Sequence, residues 1–283
     1  MIGVFGAGVV TSLQKANIYN RIQSVYGISA GSHDVAYFLS EDALKGSSIY
    51  YEDLTNGNFI KKDKFLKFLW SFFLKIFDRN RKVENIMDID YLIDVEKTRK
   101  KLDIEKIKKQ PINFFVKVFD LERSEAVYIN AKENVFQKLK ASSSAQPFYQ
   151  GITEIDGRIY IDSSVISDLI DDKLMELAES NKDKKIICVF NHPVNSMLNI
   201  GSFFGNLLWG LFIWIQFRSF SVFWKKINLF KRYKRIKKFL EKENVFCIQP
   251  QTKISIFCDD REKLLELYKE GIKKTDNFLK DFV

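Results

Sequence analysis

The chain has 283 residues, 46% of them hydrophobic, which is ample for a buried core and ordinary for one α/β domain. Its three cysteines, Cys188, Cys247 and Cys258, are widely spaced with no C-x-x-C pair, so they read as reduced thiols and exclude a cysteine metal site. Arg218 to Lys242 holds ten Lys/Arg and one acid, Glu241, and so accounts for the whole net charge of +9. A basic patch this concentrated calls for a partner.

In chain order, Met1 leads into a glycine-spaced apolar run without a basic n-region, so no secretory signal is read there. Gly6 to Ala16 has helical spacing, Ile22 to Ile28 reads as a strand, and Ser32 to Leu44 as a helix. Phe65 to Phe77 is strongly apolar. Its polar residues Lys67, Ser71 and Lys75 are four apart and share one helical face, and the segment fits core packing, an interfacial element or a lid equally. Asp88 to Lys109 predicts a helix with a surface turn. Ile112 to Leu121 and Ala126 to Asn130 predict a hairpin turning at Glu122-Arg123-Ser124. After a helix at Ala131 to Ala141, Ile152–Ile155 and Arg158–Ile161 flank Asp156-Gly157, a strong two-residue hairpin signal. Lys173 to Ser180 predicts a helix and Lys185 to Phe190 a buried strand. Val245–Ile248 and Lys253–Phe257 predict short strands, and Arg261 to Phe282 a closing helix. Strands alternating with helices predict an α/β domain with a mainly parallel sheet.

Gly27-Ile28-Ser29-Ala30-Gly31 reads G-x-S-x-G between a strand and a helix. A nucleophile elbow needs such a sharp turn, which holds its serine strained and exposed. The flanking Gly27 and Gly31 lack a Cβ and let strand and helix approach closely. The amides after Ser29 open a helix, where negative charge is favoured.

A serine nucleophile needs a base, and only two histidines are present, His33 and His192. His33, four residues beyond Ser29, points along the elbow helix. His192 follows a strand, and the order Ser…Asp…His is that of an α/β-hydrolase triad. The other candidate is an aspartate. Ala141-Ser142-Ser143-Ser144-Ala145-Gln146-Pro147 leads into the Asp156-Gly157 hairpin, which delivers Tyr160-Ile161-Asp162-Ser163-Ser164. This stretch, with the elbow before it, resembles the patatin-like phospholipase family, whose pattern is A-S-x-A-x-P, a short hairpin and Y-x-D-G-[GA]. The resemblance covers about residues 1 to 170, and more loosely Val245 to Gly271.

The resemblance implies a three-layer α/β/α patatin-like fold, a single domain over 1–283 with an apolar and basic helical insertion at about 194–242. It implies a Ser29–Asp162 dyad in which Ser29 attacks an acyl ester and Asp162 moves the proton, with no metal or organic cofactor. Two departures stand out. Ser163 and Ser164 occupy the family's glycine positions, where serine is expected to strain or shift the turn. The glycine-rich oxyanion loop G-G-G-x-[RK]-G is represented only by its tail: Gly3 falls on the last motif glycine and Ile2 on the basic position. Gly3 and Ala30 are then the candidate oxyanion-hole residues, and the native start is expected upstream of Met1. Losing one oxyanion donor costs roughly a hundred- to a thousand-fold in rate.

Phe203 to Phe217 is apolar over 15 residues, short of the 20 or so a spanning helix needs. An interfacial or re-entrant helix pair is expected, with Trp209, Trp214 and Trp224 at headgroup level and the basic run Arg218–Lys242 on an anionic membrane surface. With no recognition motif for it, nucleic acid is not expected. The combined expectation is a patatin-like lipid acyl hydrolase (phospholipase or esterase), cytoplasmic and peripheral at the membrane. The second reading is a catalytically impaired member serving as a membrane-associated lipid-binding module.

Overall fold

A computed structural model of the protein describes residues 1–78, 80–198, 207, 210–212, 214–217 and 229–282. Its elements run α1 (Val4–Lys15), β1 (Ser24–Ile28), α2 (Ala30–Leu39), α3 (Ala43–Ser48), α4 (Phe65–Leu74), α5 (Ile89–Lys97) and α6 (Ile104–Lys109). There follow β2 (Asn113–Asp120), β3 (Glu125–Asn130), α7 (Val135–Ser143), β4 (Thr153–Ile155), β5 (Arg158–Asp162) and α8 (Asp172–Ser180). The last are β6 (Ile186–Val189), α9 (Leu229–Leu240), β7 (Val245–Ile248) and α10 (Arg261–Phe282). Aspartates cap three of the helices: the Asp88, Asp103 and Asp171 side chains accept N–H bonds from Tyr91, Lys106 and Leu174. Each satisfies an amide that the helix start leaves unbonded.

The chain divides into two units, Met1–Val165 with Ser255–Val283, and Ile166–Ile254. The first holds a five-stranded sheet in which β3 pairs along one edge of β2, β1 and β5 follow one another along its other edge, and β4 pairs with β5. β1 and β2 are parallel; β2–β3, β2–β5 and β4–β5 are antiparallel. The expected mainly parallel sheet is therefore a mixed one. The reason is chain length between strands: short turns join β2 to β3 and β4 to β5, whereas a parallel return needs a crossover of a dozen or more residues. Asp156 and Gly157 both take positive φ, 51° and 74°, as a two-residue hairpin demands.

The core of this unit is built on the face of β2 that carries Phe114, Val116 and Val118, all fully buried. Helix α1 is buried along most of its length and packs on α10. Their backbones cross at Gly8 and Gly271: a Cβ on Gly8 would come 3.2 Å from the Gly271 Cα. The predicted strand at Lys253–Phe257 is absent. That segment is irregular, with a turn closed by Cys258 N–H on the Ser255 carbonyl, and Met1 nitrogen donates to Ile256 carbonyl at 3.1 Å.

The second unit pairs β6 and β7 in parallel, Cys188 opposite Cys247. Its core is Ile170, Ala178, Phe190, Val194, Ile236, Phe239 and Val245. Much of the expected membrane segment lies outside the described residues, including Phe203, Trp209, Trp224 and 218–228 of the basic run. Residues 207, 210–212 and 214–217 are helical. Among the described residues no helix is long and apolar enough to cross a membrane.

Candidate active site

Ser29 stands between β1 and α2 with φ 52° and ψ −127°. Non-glycine residues hold such a backbone only where the surroundings impose it. One part of the constraint is Gly27, where a Cβ would meet the Ser32 Cα at 2.5 Å and the Ser32 nitrogen at 2.9 Å. Only glycine lets α2 fold back on β1 there. Gly31 differs from the expectation: a Cβ on it would meet nothing within 4 Å, because that position of the first helical turn looks into open space.

A second constraint comes from α7. The Ser29 N–H donates to Ser142 Oγ at 3.0 Å, Ser142 Oγ lies 2.8 Å from Ser32 Oγ, and it donates to the Lys117 carbonyl at 3.0 Å. Ser142 thus ties the elbow to the central strand.

Asp162 ends β5 and is almost fully buried. β3 pairs with β2 along residues 115–120, so β1 and β5 share the opposite edge: Ile28 pairs with Lys117 and Asp162 with Val118, which sets the end of β1, just before Ser29, and Asp162 at successive positions of that one edge. Gly27 opposes Val116 and Asp162 opposes Val118, two positions along the strand, so both lie on the same face of the sheet. Asp162 Oδ1 accepts the Ser164 N–H at 2.8 Å, and the Asp162 N–H reaches the Ser144 carbonyl at 3.1 Å. Ser163 is fully buried, donates to the Lys117 carbonyl at 3.4 Å, and opens a 3-10 turn without positive φ. The serines in the glycine positions therefore cause no left-handed strain.

Gly3 caps α1 against the start of α2. A Cβ on it would lie 2.6 Å from Ala30 Cβ and 2.9 Å from Tyr50 Cζ. Gly3 and Ala30 are thus neighbours. The Ser29 amide is engaged by Ser142, whereas Ala30 opens α2, where the first amides have no intrahelical partner.

Three buried polar features were not legible in the sequence. His33 Nδ1 lies 2.6 Å from Glu96 Oε1 and Nε2 lies 3.2 Å from Ser143 Oγ, a chain joining α2, α5 and α7. Asp34 accepts a hydrogen bond from the Tyr50 hydroxyl at 2.9 Å, and burial raises its carboxyl well above the usual range. Lys117 is fully buried on β2 with Nζ 5.5 Å from the Tyr128 ring centre. Its one signal was a lone cation inside the run INFFVKVFDL. His192 lies in the second unit. Its Nδ1 is buried without a hydrogen-bond partner among the described residues, and burial, with Lys253 nearby, lowers its pKa to about 4. Among the described residues no cluster of three His, Cys, Asp or Glu is placed to hold a metal ion.

Fold and site define an α/β protein with a constrained serine at a strand-to-helix elbow. No protein-family model matches the chain, and no curated relative matches it. Among solved structures it is similar to VipD from Legionella pneumophila, at 13% identity and a TM-score of 0.45, over 99% of this chain. The chain spans 65% of the length of that one.

Proposed function

We propose that the protein is a lipid acyl hydrolase of the patatin-like type. Ser29 Oγ attacks an ester carbonyl, and Asp162 accepts its proton and returns it to the leaving alcohol. Ala30 N–H, beside Gly3, receives the developing oxyanion. One observation carries the reading: Ser29 alone in the G-x-S-x-G run is held at positive φ, at the point where β1 turns into α2. A fluorophosphonate probe is expected to label the full chain at one serine, and Ser29→Ala to remove the label. Equal labelling of that variant overturns the assignment. Asp162→Asn is expected to lower hydrolysis of a short-chain nitrophenyl ester by at least about a hundredfold, in the range known for general-base loss.

A second reading is an impaired, lipid-binding member of the same type. It is favoured by the Asp162 carboxylate already accepting the Ser164 N–H. Under either reading the basic run Arg218–Lys242 meets an anionic membrane surface. Within it Arg232 pairs with Asp168, Arg235 with Asp168 and Asp172, and Lys242 with Glu179. Lys231, Lys234, Lys237 and Lys238 are the exposed cations of α9 that such a surface would meet. Replacing these four by glutamine is expected to weaken sedimentation with phosphatidylserine vesicles, each cation contributing about 1 kcal/mol.

A further inference from the structure

Helix α4 turns an apolar face away from the core. Phe68 and Phe72 are its buried anchors, packed on each other and, through Phe68, on Phe148. Opposite them, Leu66 is 78% exposed, Trp70 63%, and Phe77, just past the helix, 77%. Phe65, Leu69, Phe73 and Ile76 extend the exposed surface. Lys67, Ser71 and Lys75 do share one stripe, but it runs along the flank of the helix rather than facing water opposite the core. The outer aromatics form a continuous row: Trp70 stacks on Phe73 at 6.0 Å, and Phe73 meets Phe77 edge-on at 5.6 Å. Isolated exposed apolar residues are ordinary, whereas a contiguous row of this kind marks an interaction surface.

Charge selects the occupant. Lys61 to Lys82 carries eight Lys/Arg against two acids. Lys61, Lys62 and Lys64 are bound to Asp88, Asp259 and Glu84. Lys67, Arg81 and Lys82 remain exposed around the row. A second copy docking on the same face would set two such cationic rims against each other, because a two-fold interface brings like patches together. A bilayer with anionic lipid fits both parts: acyl chains take the row, Trp70 sits at headgroup depth, and phosphates meet the flanking cations. We infer that α4 and its continuation to Phe77 form a docking surface for anionic lipid bilayers, separate from the basic run near α9. The surface stands whether or not Ser29 reacts.

The test uses the full chain carrying Ser29→Ala, so that hydrolysis plays no part. Co-sedimentation is measured on vesicles of phosphatidylcholine with and without phosphatidylserine. Strong binding to the mixed vesicles and weak binding to the neutral ones is expected. Leu66→Ser, Trp70→Ser, Phe73→Ser and Phe77→Ser together are expected to lower partitioning at least about a hundredfold, since all four side chains lose apolar burial. Lys67→Gln with Lys82→Gln is expected to cost about fivefold per cation on anionic vesicles and nothing on neutral ones. Because all these positions are exposed, the variants fold, which circular dichroism verifies. Unchanged sedimentation of the apolar variant overturns the proposal. So does a parent chain that ignores vesicles but shows a dimer by light scattering that the apolar variant abolishes.

Discussion

Ser29 gives its backbone N–H to Ser142 Oγ at 3.0 Å, so a side chain 113 positions away holds the elbow in its strained form. Ser142 is itself fully buried and anchored on the Lys117 carbonyl. Ser142→Ala leaves the Ser29 amide and that carbonyl without this partner. A loss of about 1–3 kcal/mol in urea unfolding is expected, the usual cost of an unmade buried hydrogen bond. Slower fluorophosphonate labelling of Ser29 is expected alongside it.

The two elbow glycines are expected to behave oppositely. Gly27→Ala drives a methyl into the α2 backbone at Ser32 and is expected to cost about 2–3 kcal/mol, as overpacking does. Gly31→Ala meets open space inside a helix and is expected to stabilise by up to about 1 kcal/mol. Thermal melts of the two variants check the contrast.

Asp34 predicts a gain on removing charge. Burial raises its carboxyl pKa, opposed by the Tyr50 hydrogen bond and reinforced by Glu96. Between the ordinary carboxylate pKa and the raised value, the folded chain holds a proton that the unfolded chain has released. Its contribution to stability is therefore present at low pH and falls as pH rises through the folded pKa. Asp34→Asn keeps an acceptor for Tyr50 without a buried charge. At pH 7 the variant is expected to match or exceed the parent in urea midpoint, and the difference is expected to vanish near pH 4.

His192 predicts the reverse slope. Its folded pKa, about 4, lies below the unfolded value of 6.5. As pH falls below 6.5 the unfolded chain takes the proton first. The contribution is thus full above pH 6.5 and is lost toward pH 4, by about 3 kcal/mol at most. His192→Gln is expected to flatten the stability profile over that interval. Under the dyad reading it is also expected to leave ester hydrolysis intact, and a folded but inactive His192→Gln would replace the dyad by a triad.

Local pattern carried much of the fold. The Asp156-Gly157 dipeptide specified its hairpin because both residues tolerate positive φ. The closing helix at Arg261–Phe282 and the strand at Val245–Ile248 stand where their periodicity put them. Lys253–Phe257 alternates like a strand, yet no described strand pairs with it, and an unpaired segment gains nothing from an extended backbone.

By itself the sequence determined most of the elements and the elbow, since capping, turn chemistry and apolar spacing act over a few residues. Tertiary structure alone decided that the sheet is mixed and that Gly27, not Gly31, is the glycine the elbow requires. It alone set Ser142 on the Ser29 amide, brought the ends of β1 and β5 together along one edge of β2, and joined His33 to Glu96. It also turned the aromatic row of α4 outward, a choice that periodicity left open because that segment is apolar on nearly every side. Each of these depends on which residues meet across long separations, and no spacing rule along the chain encodes such meetings.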